Sequence, residues 1–405
     1  MHFRSRFRLS FLFVATFATL LSGCGGITRA PQSADSLLQR RNEYLRDYLD
    51  ETSQRYTAQL QRTKAQLDEY KAGHRPAPPV IDYLVISGGG DIGAFGAGFL
   101  KGWSTVPKSH PLARPTRFDV VTGVSTGALI APFAWLGDAE SDQRIVNLYR
   151  NPQTDWVQER WPLSFLPYHL SFAEVPGLER QIRETCSREM VARLTDPAEA
   201  GRLLVVNTTN LDDASPRIFY LVPEAHRAVE TGDLTRFHNI LLASAGIPGA
   251  FPYREIDGSM YVDGAVSANM IFGGRLPEEQ RLVGLWERLY PDIPMPKLRY
   301  WVIFNNQVHT PPTVVPARWL DIILRSVEVA SRSSSLTALR QLFMLADVAQ
   351  RQYNADVEVR FVAVPDDWRP PKPGTFVKET MNSLADLGEK MGADPSSWIT
   401  EPPTQ

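Results

Sequence analysis

The stretch Gly123-Val124-Ser125-Thr126-Gly127 sets one serine between two glycines. There a β-branched run ("RFDVVTG", 117–123) gives way to a helical one ("ALIAPFAWL", 128–136). A serine on a tight strand-to-helix turn presents its hydroxyl as a nucleophile, and its neighbours must be small for the turn to close. The helix that follows offers free N–H donors and the positive end of its dipole to a charge developing on a carbonyl oxygen. Acyl transfer to Ser125 is the chemistry this arrangement suits, with Gly123 and Gly127 as its supports.

A second glycine cluster lies upstream in "YLVISGGGDIGAFGAGFLKGW" (83–103), where Gly88, Gly90 and Gly93 have the spacing G-x-G-x-x-G directly after a strand. A dinucleotide site needs an acidic residue at the end of the second strand, about 20 residues on. Asp119 stands at the start of that strand, the wrong end of a sheet. A phosphate loop fails as well, because no Gly-Lys-Ser/Thr follows. With Ser125 downstream, the backbone N–H groups of Gly88, Gly89 and Gly90 are suited to another task, a second wall around the same carbonyl oxygen.

A serine hydroxyl is a weak nucleophile until a base takes its proton. Two candidates follow Ser125. His309, in "NNQVHTPP", comes late enough for the order seen in α/β-hydrolases. Asp263 ends a short strand in "ASAGIPGAFPYREIDGSMYVDGAVSAN" (243–269) and is followed by Gly264. An aspartate, with an ordinary pKa of about 3.9, works as a base only in a desolvated site.

Three blocks in this order resemble the patatin-like phospholipases: the loop Gly88 to Gly93, G-x-S-x-G around Ser125, and A-S-x-x-I-P-x-x-F-P running to Asp263-Gly264-Ala265. The resemblance spans residues 80 to about 270. It implies an α/β three-layer sandwich with a largely parallel central sheet, a Ser125/Asp263 dyad and a substrate that is a lipid or acyl ester. Ser125 would carry the acyl group, Asp263 would serve as base and then acid, and the amides of Gly88, Gly89 and Gly90 would hold the oxyanion, with no metal or cofactor. The family's loop usually reads G-G-G-x-R-G, whereas this chain has Asp91-Ile92 before Gly93. The amides are untouched by that change, but a positive charge is missing, so a neutral acylglycerol or another uncharged ester is the expected substrate. Asp91 is expected to cap the helix that starts near Gly93.

Strand patterns at 80–89, 117–123, 202–211, 217–223 and 299–307 alternate with helical ones near 94–103, 126–137, 236–245, 317–352 and 375–391, an α/β arrangement. Before them, Leu38, Leu45, Leu49, Tyr56, Leu60 and Leu67 recur in steps of seven and four, the stripe of a long straight helix over 34–72. That stripe serves self-association or a spacer on one reading, and packing on the main domain on the other. "GHRPAPP" (73–79) breaks the helix. The hydrolase domain is placed at 80–398, with 399–405 as a tail. The aromatic stretch "WPLSFLPYHLSF" (161–172) offers Trp161, Phe165, Leu166 and Phe172 to a lid or to loop packing.

At the N-terminus, Arg4, Arg6 and Arg8 precede an apolar run from Leu9 to Leu21. At about 13 residues this run is too short to span a bilayer and has the layout of a secretory signal. Leu21-Ser22-Gly23-Cys24 looks like a bacterial lipobox, so residues 1–23 are expected to be a signal peptide, Cys24 to be lipidated, and 24–79 to tether the domain to a membrane of the cell envelope, the outer one if the cell has one, since Gly25 stands where an inner-membrane retention Asp would follow the cysteine. Cys186 is then a lone buried thiol. Among 405 residues, 43 Lys and Arg face 45 Asp and Glu, a net charge of −2 that gives nucleic acid no basic footprint.

Overall fold

The computed structural model describes residues 29–159 and 171–404. In chain order the main elements are α1 (Ala34–Lys71), β1 (Ile81–Ile86), α2 (Gly93–Trp103), β2 (Val120–Val124), α3 (Thr126–Leu136) and α4 (Ala139–Arg150). Then come α5 (Pro176–Thr185), α6 (Arg188–Arg193), β3 (Leu203–Asn210), β4 (Ser215–Tyr220), α7 (Leu221–Thr231), α8 (Thr235–Ser244), β5 (Arg254–Ile256) and β6 (Ser259–Asp263). The chain ends with α9 (Leu282–Leu289), β7 (Leu298–Gln307), α10 (Trp319–Tyr353), β8 (Val357–Val364) and α11 (Lys378–Gly392). The expected signal peptide, Cys24, Trp161, Phe165 and Leu166 lie outside the described residues.

The sheet runs β8-β7-β1-β2-β3-β6-β5, with β4 paired to β3 off this path. The pairs from β8 to β3 are parallel, and those that β3 makes with β4 and β6, and β6 with β5, are antiparallel. Parallel strands need a crossover at each step, which is why helices cover both faces. The strand side chains divide accordingly. Leu84 and Ile86 face a core with Phe95, Phe99, Trp135 and Ile145, while Tyr83 and Val85 face a second core with Leu60, Trp286 and Val302. On the first face, α2 and α11 approach so closely that a Cβ on Gly98 would stand 2.2 Å from the Ala385 carbonyl oxygen, and one on Gly388 2.2 Å from that of Phe95.

One detail of register bears directly on the site. β2 pairs with β3 up to Val124 opposite Asn207, and β6 pairs with β3 from Asp263 opposite Thr208. Since β4 occupies the other edge of β3 along Val205–Asn210, β2 and β6 share one edge and meet there end to end. The residue after Val124 is Ser125.

Helix α1 packs on the domain from about Tyr44 onward, the Tyr44 hydroxyl accepting the Ile218 N–H at 2.8 Å. Tyr56, Leu60 and Leu67 are buried in the second core, the Thr52 hydroxyl lies 2.6 Å from the Tyr220 hydroxyl, and Gln59 and Arg62 donate to Asp119 at 2.8 and 2.7 Å. Leu38 and Leu45, in the first half, stay exposed. Asp119 sits just before β2, at the end of the sheet away from Ser125, and so takes part in docking α1.

Some local expectations change. "RIFYLVP" does not remain a strand to residue 223; α7 starts at Leu221, since Pro223 is tolerated in a first helical turn and the residues after it favour a helix. β8 was not anticipated. The expected tail is also held: Phe361 and Ile399 exchange backbone hydrogen bonds of 2.9 and 2.8 Å, and Trp398 packs against Phe99, Trp103 and Trp301. The edge of β8 would otherwise present unpaired groups to solvent.

Candidate active site

Ser125 joins β2 to α3 with φ 54° and ψ −125°, a conformation that non-glycine residues avoid. Its surroundings allow no gentler turn. A Cβ on Gly123 would lie 2.2 Å from the Gly127 carbonyl oxygen, and one on Gly127 2.3 Å from that of Ile86. The strained backbone is anchored at the Ser125 N–H, which donates to the Ser244 hydroxyl at 3.0 Å; Ser244 donates in turn to the Asn207 carbonyl at 2.6 Å.

The Ser125 hydroxyl donates to Asp263 Oδ2 at 2.7 Å, and Asp263 Oδ1 accepts the Ala265 N–H at 2.8 Å. Asp263 is buried. Burial pushes its carboxyl up to about 7 against the pull of those two hydrogen bonds. His309 is placed elsewhere, with its side chain half exposed and its ring Nδ1 2.7 Å from Asp366.

Upstream, the glycine loop leaves β1 and is shaped by Asn269 and Asn305. Asn305 donates from Nδ2 to the Ser87 carbonyl and from its backbone N–H to the Ser87 hydroxyl, each at 2.9 Å. Asn269 Oδ1 accepts the Gly88 N–H at 3.0 Å. Gly88 is therefore engaged, whereas the N–H groups of Gly89 and Gly90 have no partner among the described residues. Gly90 has φ +60° and lines the same pocket as Ser125.

Residues 84–274 match the model of the patatin-like phospholipase family, a span that holds the glycine loop, Ser125 and Asp263. The chain carries a patatin-like phospholipase domain. The crystal structure of VipD from Legionella pneumophila is similar over 78% of this chain and 68% of that one, with 13% identity and a TM-score of 0.32. No curated protein matches.

Beside Ser125 the patatin-like domain opens a narrow pocket walled by Leu129, Leu148, Trp156, Leu178, Phe251 and Phe376. Such apolar walls suit a hydrocarbon chain. A second apolar pocket lies at the start of β7 and β8 against Tyr56, Leu298 and Val357, and none of the site residues borders it.

Asp91 does not cap α2. It lies in a short 3-10 turn, Gly90–Ile92, and its Oδ2 accepts the N–H of Phe376 at 2.9 Å. Phe376 has φ 57°, an unfavourable value for an aromatic residue, and its ring packs against Trp156 and Phe251 in the wall of the cavity. The acid beside the missing arginine thus fastens a C-terminal loop over the pocket.

Gly264, the residue after Asp263, has no room for a side chain: a Cβ there would come 2.3 Å from the Asn207 carbonyl oxygen. Sequence reasoning passed over Ser244, Asn207, Asn269 and Asn305. Ser244 and Asn269 were present in the quoted 243–269 block, but only the fold shows that they hold the elbow and the loop.

Proposed function

We propose that this chain is a serine acyl hydrolase of lipid esters that works with a Ser125/Asp263 dyad. The observation that carries the reading is the 2.7 Å hydrogen bond from the Ser125 hydroxyl to the buried Asp263 carboxylate, made from a strained turn beside an apolar pocket. Asp263 takes the hydroxyl proton as Ser125 Oγ attacks the ester carbonyl. The resulting oxyanion meets the N–H groups of Gly89 and Gly90 and the start of α3. Asp263 then returns the proton to the departing alcohol, and a water molecule, deprotonated by the same carboxylate, releases the acid from Ser125. A base near pH 7 suits both halves of this cycle.

The pocket takes the acyl chain, and Ile92 in the place of an arginine leaves the loop without a cation for an anionic head group, so uncharged esters are the favoured substrates. Lipidation at Cys24 holds the domain to an envelope membrane in this reading. A fluorophosphonate probe tests the hydrolase: it should label wild-type protein and fail on Ser125→Ala. Folded wild-type protein that takes no label would sink the enzyme and leave a patatin-like fold with some other role. Cys24→Ser should release the protein from membranes.

A further inference from the structure

α10 begins well outside the body of the domain. Among the side chains described from Trp319 to Ser334 none is buried; Ser335 is the first that is. Sixteen residues of α-helix span about 24 Å, so several turns project beyond that point. Their direction is fixed by topology: β7 leaves the sheet at the end that carries Ser125, and α10 must return from there to the start of β8.

The projecting part is amphipathic, with its apolar face outward. Trp319, Ile322, Ile323 and Val329 fall on one face together with Ser326 and Ala330, and they are 62%, 51%, 48% and 44% exposed. The opposite face carries Leu324, 39% exposed, and charges that cancel within the helix, Arg318 paired with Asp321 at 2.5 Å and Arg325 with Glu328 at 2.8 Å. A stripe of this size without cover is uncommon on a soluble surface and marks an interaction site.

Its root belongs to the active site. Ser335 accepts a 2.6 Å hydrogen bond from Asn269, the residue that fixes Gly88. At the same end of the sheet, Arg29 is paired at 2.5 Å with Asp212 in the β3-β4 turn. A lipid on Cys24, five residues earlier, would sit within about 18 Å of that point.

We infer that the projecting turns of α10, Trp319 to Ala330, are a docking surface for a lipid layer, which they enter by the Trp319–Ile322–Ile323–Val329 stripe. The inference rests on the lipid hydrolase reading of the same site. The layer it fits is an uncharged or zwitterionic one, because the helix presents an apolar stripe and self-paired charges instead of a cationic face. Docked in this way, α10 places the mouth beside Ser125 against the surface in which the ester lies.

The test uses the full chain carrying Cys24→Ser, so that no acyl anchor contributes. Cys186, being buried, leaves an introduced thiol to take the label. An NBD probe on Ile323→Cys should shift to the blue with phosphatidylcholine vesicles and be quenched by lipids brominated on their acyl chains, whereas a probe on Gln341→Cys should not. In parallel, Ile322→Asp/Ile323→Asp should lower hydrolysis of the vesicle lipid by at least about tenfold, since charged groups resist entry to the layer, with p-nitrophenyl butyrate turned over as before.

An unquenched probe at 323, or an unchanged vesicle rate in the double variant, overturns the inference. So does a probe already shielded without vesicles, which in a dimer that the double variant converts to monomer would make a second copy the occupant, and in a monomer would mean the chain covers its own stripe. If wild-type protein hydrolyses neither substrate, the hydrolase reading fails while the probe still reports on docking.

Discussion

Ser125 and Asp263, 138 residues apart in the chain, lie side by side because the strands that deliver them end against Asn207 and Thr208, neighbours on one edge of β3. Asp263 can take the Ser125 proton across their 2.7 Å hydrogen bond only while it is ionised. With the carboxyl near 7, kcat/KM on a soluble ester should rise with pH through that value and level off above it. Asp263→Asn should lower kcat by about a hundredfold or more at every pH. A pH-independent rate between 5 and 9 on wild-type protein would contradict this.

The same carboxyl sets a stability trend of opposite sign. Its folded value of about 7 lies above its ordinary 3.8, so between those two pH values the folded state retains a proton that the unfolded chain releases. Stability from this group is therefore present below pH 4 and lost as pH rises to 7. Urea melts of Asp263→Asn should show a shallower fall over that window than wild type. Equal slopes in the two proteins would count against the burial effect.

Backbone strain at Ser125 gives a third expectation. Glycine accepts φ 54° without penalty, whereas alanine does not. Ser125→Gly should therefore be more stable than Ser125→Ala by about 1 kcal/mol, although both remove the hydroxyl. Thermal denaturation of the two inactive variants decides it.

Asp91 and Phe376 are coupled by one hydrogen bond that closes the pocket wall. Asp91→Ala should free the Phe376 backbone and alter the preference between octanoyl and butyryl esters by about tenfold, by loosening a wall that only a longer chain reaches. Asp91→Asn keeps an acceptor and should alter it much less. If both esters slow equally in Asp91→Ala, the wall is not what Asp91 controls.

For α1, Leu60→Ala should cost about 2–5 kcal/mol in urea denaturation, because Leu60 is wholly buried against the sheet. Leu38→Ala, at an exposed position, should change stability by less than about 0.5 kcal/mol. Equal effects would mean that the helix does not dock as described.

Much of the site was legible because each block does a local job with a local signature. Small residues flank Ser125, since the turn cannot otherwise close, and Gly264 follows Asp263 because Asn207 leaves no space. What could not be read was non-local. Nothing in the sequence tells that Ser244 holds the Ser125 amide, that Asn269 engages the Gly88 amide, or that Asp91 reaches a residue 285 positions away. The fold was legible where strands were doubly buried apolar runs, as at β1. β8 escaped notice with its polar Glu358 and Arg360 alternating among apolar residues, and the end of β4 was obscured by a proline that belongs to a helix. The stripe of α1 was visible, but not which of its residues would find a partner.

The meeting of β2 and β6 on a single edge of β3 has a bearing on how the protein fails. No loop separates Ser125 from Asp263, and no hinge lies between the strands that carry them; both take their position from two consecutive peptide units of one interior strand. Heat cannot draw the pair apart without first prising open the middle of the sheet. Loss of turnover on warming should accordingly coincide with the cooperative melting of the whole domain, and amides of Asn207 and Thr208 should be among the last to exchange with deuterium.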